Sequence, residues 1–358
     1  MSKTIVPFGP QHPVLPEPIH LSLTVEDEIV QEAVPAFGYV HRGLEKLVEK
    51  RDFHQMIQVV ERVCGICSMI HAMCYCQALE ALMNVEVPRR AKFLRVIWSE
   101  LHRIHSHLLW LGLYADAFGF ESVFMQFWKI RERIMDINES TAGNRVIVSV
   151  NQVGGTRRDL PSSQCEWILT ELVEVEKGIK DLEATMLDNY TVKKRTIGKG
   201  VLSKEMAYEL GAAGPTLRAS GVAQDLRQLQ YEAFDELDFE PVVETGGDAY
   251  ARGVVRFRET LQSIDLVRQA ISRLPGGETA AKVKGKPEGE VVRRVEQPRG
   301  ECLYYLNANG TKFLDRLRIR TPTFANIPPL AHMLPGMELA DVPVLILSID
   351  PCISCTER

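Results

Sequence analysis

The sequence has no apolar run of the roughly 18 residues that a membrane-spanning helix needs. Its opening, Met1-Ser-Lys-Thr-Ile-Val-Pro-Phe-Gly9, has no apolar stretch of the kind a secretory leader carries and turns at Pro7 and Gly9. It has no excess of positive charge either: 42 Lys and Arg stand against 47 Asp and Glu, a net −5, which gives no support for nucleic acid as a partner. Internal repeats and low-complexity tracts are missing, which excludes solenoids and disordered arrays. These absences predict a soluble cytoplasmic polypeptide, attached to a membrane only through partners. What is present is ordinary globular material, 45% hydrophobic and 25% charged over 358 residues, enough to bury a large core.

The patterning predicts an α+β fold over 1–358 as a single unit, with a mainly α-helical bundle core and peripheral β-hairpins. Alternation in Ile19-His-Leu-Ser-Leu-Thr-Val25 and extended character from Ile29 to Val34 predict one hairpin. Helices are predicted beginning near Leu44 and over 52–63, 68–83, from Pro88, 120–138, 162–189, 224–237 and 249–274. Along the helix after Pro88, Phe93, Ile97, Leu101, Ile104, Leu108 and Leu111 recur at three- and four-residue steps, the mark of a buried face. Gly211 to Gly221 reads as a loop, and Pro275 to Glu290 as an exposed one. Strands are predicted at Val291–Val295, Cys302–Leu306, Leu317–Arg320 and Val344–Ile349, with Asn309-Gly310 a hairpin turn.

Chemistry concentrates in two short cysteine pairs that nearly the whole chain separates: Cys64-Gly-Ile-Cys67 and Cys352-Ile-Ser-Cys355. A C-x-x-C turn aims two sulfurs at one point, and two such turns can surround one soft metal. The bland alternative is a structural zinc site, but zinc ribbons keep their pairs roughly 15–20 residues apart. Here the site must lie at the centre of a large domain. Eight cysteines in such a chain favour metal or redox chemistry over a disulfide framework.

Four more residue groups accompany the pairs. His71 lies one helical turn beyond Cys67 and could hydrogen-bond a metal-bound sulfur, though a lone histidine is more often a core or capping residue. Glu45, in His41-Arg-Gly-Leu-Glu45, is singly just a helix charge. Arg299, in Pro298-Arg-Gly300, is singly a loop residue, and Thr323, in Arg320-Thr-Pro-Thr323, a strand end. Cys74, Cys76, Cys165 and Cys302 read as buried small hydrophobes. His102, His105 and His107 follow one helix, lack a completing carboxylate pattern, and read as packing or surface residues. Arg51, Arg89, Arg90, Arg293 and Arg294 read as solvated charges.

Together, Arg62-Val-Cys-Gly-Ile-Cys67 with His71, Arg42-Gly-Leu-Glu45, Pro298-Arg-Gly300 and Asp350-Pro-Cys-Ile-Ser-Cys355 resemble the large subunit of a [NiFe] hydrogenase over essentially the whole chain. Gly9-Pro-Gln-His-Pro13 and the ending Thr356-Glu-Arg358 resemble the energy-converting, membrane-associated branch, the Ech and CO-induced hydrogenases. That branch is similar to the quinone-site 49 kDa-type subunit of respiratory complex I, the main alternative alongside a structural zinc protein with four cysteine ligands. The complex I subunit has lost the cysteine pairs, and it carries a quinone-facing histidine where this chain has Pro16.

The resemblance implies that Cys64, Cys67, Cys352 and Cys355 bind Ni, with Cys67 and Cys355 bridging to an Fe that carries CO and cyanide. It implies heterolytic H2 chemistry in which the proton passes to Cys352 and on to Glu45, a shielded carboxylate with a raised pKa. By the same resemblance Glu45→Gln should slow proton exchange strongly. Arg299 would face the open site and hydrogen-bond one cyanide, Thr323 the other, while His71 and Asp350 orient ligands. Implied partners are a small subunit with a [4Fe-4S] cluster, a ferredoxin-like carrier and integral membrane ion-pumping subunits, with this chain peripheral on the cytoplasmic side. A Mg ion near the C-terminus is a further expectation, although Arg358 stands where the family has histidine. Relatives are commonly made with a tail cleaved just past this point, so the sequence is expected to be mature or tail-less.

Overall fold

A computed structural model of the chain describes residues 3–358. It opens with an antiparallel sheet of β1 (Thr4–Phe8), β2 (His20–Glu26) and β3 (Ile29–Ala36), in that order. Leu21, Leu23 and Val25 alternate into the interior of β2, so the hairpin read from period-two alternation is present, with Val25 opposite Val30. Helices α1 (Leu44–Glu49), α2 (Met56–Glu61), α3 (Ser68–Leu82), α4 (Arg89–Asp116) and α5 (Glu121–Ala142) follow. The minimal ladder of β4 (Asn151–Gln152) and β5 (Gly155–Thr156) precedes α6 (Ser162–Glu183), α7 (Tyr190–Thr196), α8 (Lys204–Glu209), α9 (Pro215–Arg218) and α10 (Ala249–Ser272). A second antiparallel sheet, β6 (Glu288–Gln297), β7 (Gly300–Asn309) and β8 (Leu314–Arg320), leads into α11 (Pro322–Met333), α12 (Val342–Ser348) and α13 (Ile353–Glu357). The architecture is α+β, a helical core with small sheets at its edges.

Helix α4 is the hub. Phe93, Ile97, Leu101, Ile104, Leu108 and Leu111 are all buried in the main core with residues of α5, α6 and α10. Gly112 allows α5 to approach closely: a Cβ there would lie 2.7 Å from the Trp128 ring. Burial does not stop at the apolar face. Arg95, Glu100, His102, Arg103, His105 and His107 are interior too, so the three histidines are packing groups and none is a surface residue.

Four local expectations change. Residues 344–349 form most of α12 and the turn after it, and no strand. This β-branched run is buried on all sides with Pro343 in its first turn, and a short, wholly buried apolar run carries no period that separates strand from helix. Residues 224–237 make only two 3-10 turns, Leu226–Leu229 and Phe234–Glu236, broken by positive φ at Gln230 and Glu232. Side-chain bonds of Asp225 and Arg227 compete there with helical backbone pairing. Residues 211–221 include the helical turn α9. The loop at 275–290 is partly tied down, since Thr156 N donates to Thr279 O and Ala281 N to Gly154 O. Among the described residues no helix is long and apolar enough to cross a membrane.

Candidate metal centre

The first cysteine turn joins α2 to α3, with Cys67 at the N-cap of α3; the second follows α12, with Cys352 at the N-cap of α13. The fold brings them together. Cys352 Sγ lies 3.3 Å from Cys64 Sγ, and Cys67 Sγ lies 3.4 Å from Cys355 Sγ. The sulfurs of Cys64, Cys67 and Cys355 fall within 4.8 Å of one another, and Cys352 joins them through Cys64. All four are sealed from solvent, at 4% exposure or less.

Four thiols in one buried pocket cannot all ionise unaided. Hydrogen bonds from Cys352, Cys355 and Cys67 hold Cys64 well below the ordinary thiol value. Burial pushes Cys67 and Cys355 well above it. For Cys352 the hydrogen bond from Cys355 favours the thiolate, but Cys64 and burial outweigh it and drive the group up. The thiolate is therefore favoured at Cys64 and disfavoured at the other three, where a bound cation would have to displace the protons. Four soft sulfurs with no carboxylate or imidazole among them match nickel, iron or zinc.

The Asp350-Pro351 corner aims the second turn. Asp350 sits at φ 55°, a left-handed conformation that is rare for a non-glycine residue and unusual before proline. Arg299 holds it there: Nε donates to Asp350 O at 3.0 Å and one terminal nitrogen to Oδ1 at 2.8 Å, while the other terminal nitrogen reaches Ser106 Oγ at 3.2 Å. Burial works against the Arg299 charge, and Asp350, with further contributions from Cys352, Cys64 and Cys67, more than offsets it. Thr323 Oγ1 accepts from the Cys352 amide at 3.1 Å, leaving its own proton free. His71 bridges the sites of both pairs: it follows Cys67 on α3, but its Nε2 lies 3.4 Å from Cys355 Sγ. Its Nδ1 lies 2.8 Å from the Tyr304 hydroxyl. If Tyr304 donates there, Nε2–H is left to point at sulfur. Burial lowers the His71 pKa to about 4, so the ring is neutral.

Glu45 is placed differently from its expected role. It accepts from Ile319 N and from Arg358 Nε, both at 2.9 Å, and from Arg318 at 2.9 Å. Burial raises its pKa, but the Ile319 amide and the two guanidiniums outweigh it, and the carboxyl is held below its ordinary value where a raised one was expected. Such a group stays ionised and serves as an anchor for the chain end. The carboxylates near the chain end do not fit the expected Mg: Glu45 is paired with Arg358 and Arg318, and both oxygens of Glu357 accept from backbone amides. Among the described residues, the cysteines are the one cluster of three close metal-ligating groups.

Sequence reasoning missed Glu17 and Arg42. Glu17, half-buried, accepts from the backbone amides of Ile353 and Ser354, the latter at 3.0 Å, and from the Ser354 hydroxyl. It therefore grips the turn between Cys352 and Cys355. Arg42 ties the two turns together, donating to Arg62 O at 2.7 Å, Val63 O at 2.8 Å and Ser354 O at 3.1 Å. Glu357 completes the clasp by accepting from Gly38 N at 2.6 Å and Val40 N at 2.5 Å. A lone glutamate between prolines gave no signal for Glu17. The Arg-Gly-Leu-Glu motif pointed at its glutamate, and its arginine went unread. Cys74, Cys76, Cys165 and Cys302 are free and buried.

Two family patterns match, and each takes one cysteine pair. Residues 42–115 match the nickel-dependent hydrogenases, and residues 117–286 and 280–358 match the 49 kDa subunit of respiratory-chain NADH dehydrogenase. The carbon monoxide-induced hydrogenase of Rhodospirillum rubrum is 40% identical over 100% of both chains. The membrane-bound hydrogenase subunit alpha of Pyrococcus furiosus is 39% identical over 99% of this chain and 87% of its own. Among solved structures, a chain of the membrane-bound sulfane sulfur reductase, an archaeal respiratory membrane complex, superposes with a TM-score of 0.95 at 31% identity, over 99% of this chain and 98% of that one.

Proposed function

The chain belongs to the family that unites nickel-dependent hydrogenase large subunits with the complex I 49 kDa subunit, and on that premise we propose that it is the catalytic subunit of an energy-converting [NiFe] hydrogenase. The carrying observation is the complete set of four cysteines, converged and closed to solvent. A sealed sulfur pocket suits H2, protons and electrons, whereas a quinone needs a wide approach to its headgroup.

Cys64, Cys67, Cys352 and Cys355 would hold a Ni–Fe group, which when bound supplies a redox-active Lewis-acid pair at which H2 is cleaved heterolytically. The chain's own residues handle the proton. Cys352, beside the Glu17-gripped turn, takes it on sulfur; Glu17, hydrogen-bonded to two amides and a hydroxyl, passes it outward from its half-buried position. Glu17 thus takes the relay role that the resemblance implied for Glu45. Arg299 supplies a fixed cation beside the sulfurs and keeps Asp350 in its left-handed turn. Thr323 and the Nε2–H of His71 offer donors to ligands and to Cys355.

Two electrons per H2 must leave through another polypeptide, because no cysteine cluster beyond the central one is assembled among the described residues. A small subunit with a [4Fe-4S] cluster, a ferredoxin-type carrier and ion-translocating membrane subunits complete the proposed complex, with this chain peripheral on the cytoplasmic side. Metal analysis of the purified complex is the test: nickel and iron together support the proposal, zinc alone assigns a structural site of four thiolates, and metal-free cysteines assign a complex I-like quinone-reductase subunit.

A further inference from the structure

Behind the turn that carries Arg299 lies a second ionisable cluster, one that touches no cysteine. Arg103 pairs with Glu100 at 3.2 Å, Glu100 with Arg227 at 3.1 Å, and Arg227 with Asp225 at 2.8 Å. Arg218 then meets Asp225 at 3.2 Å and both Glu259 and Glu296 at 2.8 Å. Glu259 also lies 3.0 Å from His107 Nε2. Every member is at most 3% exposed. This connected set has four carboxylates (Glu100, Asp225, Glu259, Glu296) against three guanidiniums (Arg103, Arg218, Arg227), so one negative charge is left over. The next cation outward, Arg256, is bonded to the carbonyls of Arg252 and Ser348; its charge acts on Glu259 and His107, so the surplus negative charge falls on the Asp225–Glu296 side of the set. An uncompensated buried charge is costly, by several kcal/mol on the order-of-magnitude scale for a lone buried ion. One added proton cancels it.

The places that proton can occupy are few. Asp225 faces Arg227 and Arg218 and is best served ionised, and the oxygens of Glu100 are already taken by Arg103, Arg227 and Ser263. Glu259 lies between Arg218 and His107. Glu296 has a single guanidinium partner, Arg218, plus the Leu226 amide, and Tyr231 donates only to its backbone nitrogen. His107 is the one neutral base in the set, and its Nδ1 is buried without a partner.

Glu296 also has a route to solvent. It lines a cavity of about 190 Å³ with Tyr208, Gln224, Glu301 and Arg320, room for several waters at about 30 Å³ each. The cavity wall includes Gly214, whose φ is +63° and where a Cβ would fall 2.2 Å from Arg299 O. One layer of backbone therefore separates this space from Arg299. At the other end, His107 adjoins Ser106, which accepts from Arg299.

We propose that Glu296 and His107 are two seats for a single exchangeable proton, taken up from solvent through the Glu296 cavity and held behind Arg299. Uptake moves one H+ from water to a carboxylate oxygen and no electron. Transfer to the His107 seat would move the positive charge onto the residue that follows Ser106, the Arg299 partner, on α4. Burial, with Asp225 nearby, lifts the Glu296 pKa to about 7. Burial lowers that of His107 despite Glu259, which makes Glu296 the resting seat.

The proposal goes beyond the hydrogenase reading and is independent of which metal the cysteines hold. Infrared pH-difference spectroscopy on the intact complex tests it. A protonated-carboxyl C=O band that titrates near neutral pH is expected, lost in Glu296→Gln and kept in Glu301→Gln. Glu301 faces the same cavity but is paired with Arg294 and Arg320. Glu296→Asp, for use if the glutamine variant does not assemble, should shift the band. Absence of the band in the wild type, or a band that neither Glu296 variant alters, overturns the proposal.

Discussion

Glu17→Gln removes one charge at the turn between Cys352 and Cys355 and takes away the proposed first carboxylate on the proton's way out. The carboxylate accepts three hydrogen bonds, from Ile353 N, Ser354 N and Ser354 Oγ. Glutamine keeps one acceptor oxygen for the two amides and can donate its NH2 to the Ser354 hydroxyl, so the loss is the charge assistance of these bonds, up to about 1.5–3 kcal/mol. That loosens the turn but does not release it, because Arg42, Glu357 and Thr323 hold the same segment independently. The chemical effect is larger. General acid–base catalysis contributes about 10²–10⁴-fold, or roughly 3–5 kcal/mol of barrier. H2/D2O exchange is therefore expected to fall by about 100-fold or more, with nickel and iron content unchanged. Glu45→Gln should instead leave exchange close to the wild-type rate while weakening the ion pairs with Arg318 and Arg358. Exchange by Glu17→Gln close to the wild-type rate, with strong loss in Glu45→Gln, would refute the relay assignment and return it to Glu45.

Three further outcomes are expected. Arg299→Ala leaves the buried Asp350 carboxylate unpaired and its left-handed backbone unsupported, which should lower stability by about 3–5 kcal/mol, read from denaturant midpoints of the subunit within its complex. Burial depresses the pKa of both His71 and His102 to about 4 in the folded chain. The unfolded chain binds these protons first, so each histidine's contribution is complete above about pH 6.5 and is lost as pH falls from there toward about 4, roughly 3 kcal/mol apiece. His71→Gln should flatten that acid limb. Elemental analysis should find no stoichiometric magnesium, and EDTA should leave stability unchanged, because Arg358 already neutralises Glu45; one tightly held Mg per chain would contradict that.

The outline of the fold could be read from periodicity because most helices present one apolar face to the core and the edge strands alternate, as α4 and β2 show. Periodicity failed at α12, whose run from Val342 to Ser348 is buried all round, and at 224–237, where buried ion pairs override helix propensity. The four cysteines were legible because two C-x-x-C turns are a sharp local signal. Glu17 and Arg42 were not, because their meaning lies in contacts with Ile353, Ser354, Arg62 and Val63 that only the closed fold creates. The raised pKa expected for Glu45 is reversed for a similar reason: no local pattern announces that Arg318 and Arg358 will converge on it.

The most direct measurement of the central claim is the infrared spectrum of the purified complex between the amide and C–H regions, where metal-bound CO and cyanide absorb free of protein bands. Intrinsic CO and CN stretches, lost when any one of Cys64, Cys67, Cys352 or Cys355 is changed to serine, are the expected result. A complex that is fully assembled and active in electron transfer, yet shows neither stretch, would contradict a Ni–Fe centre at these cysteines.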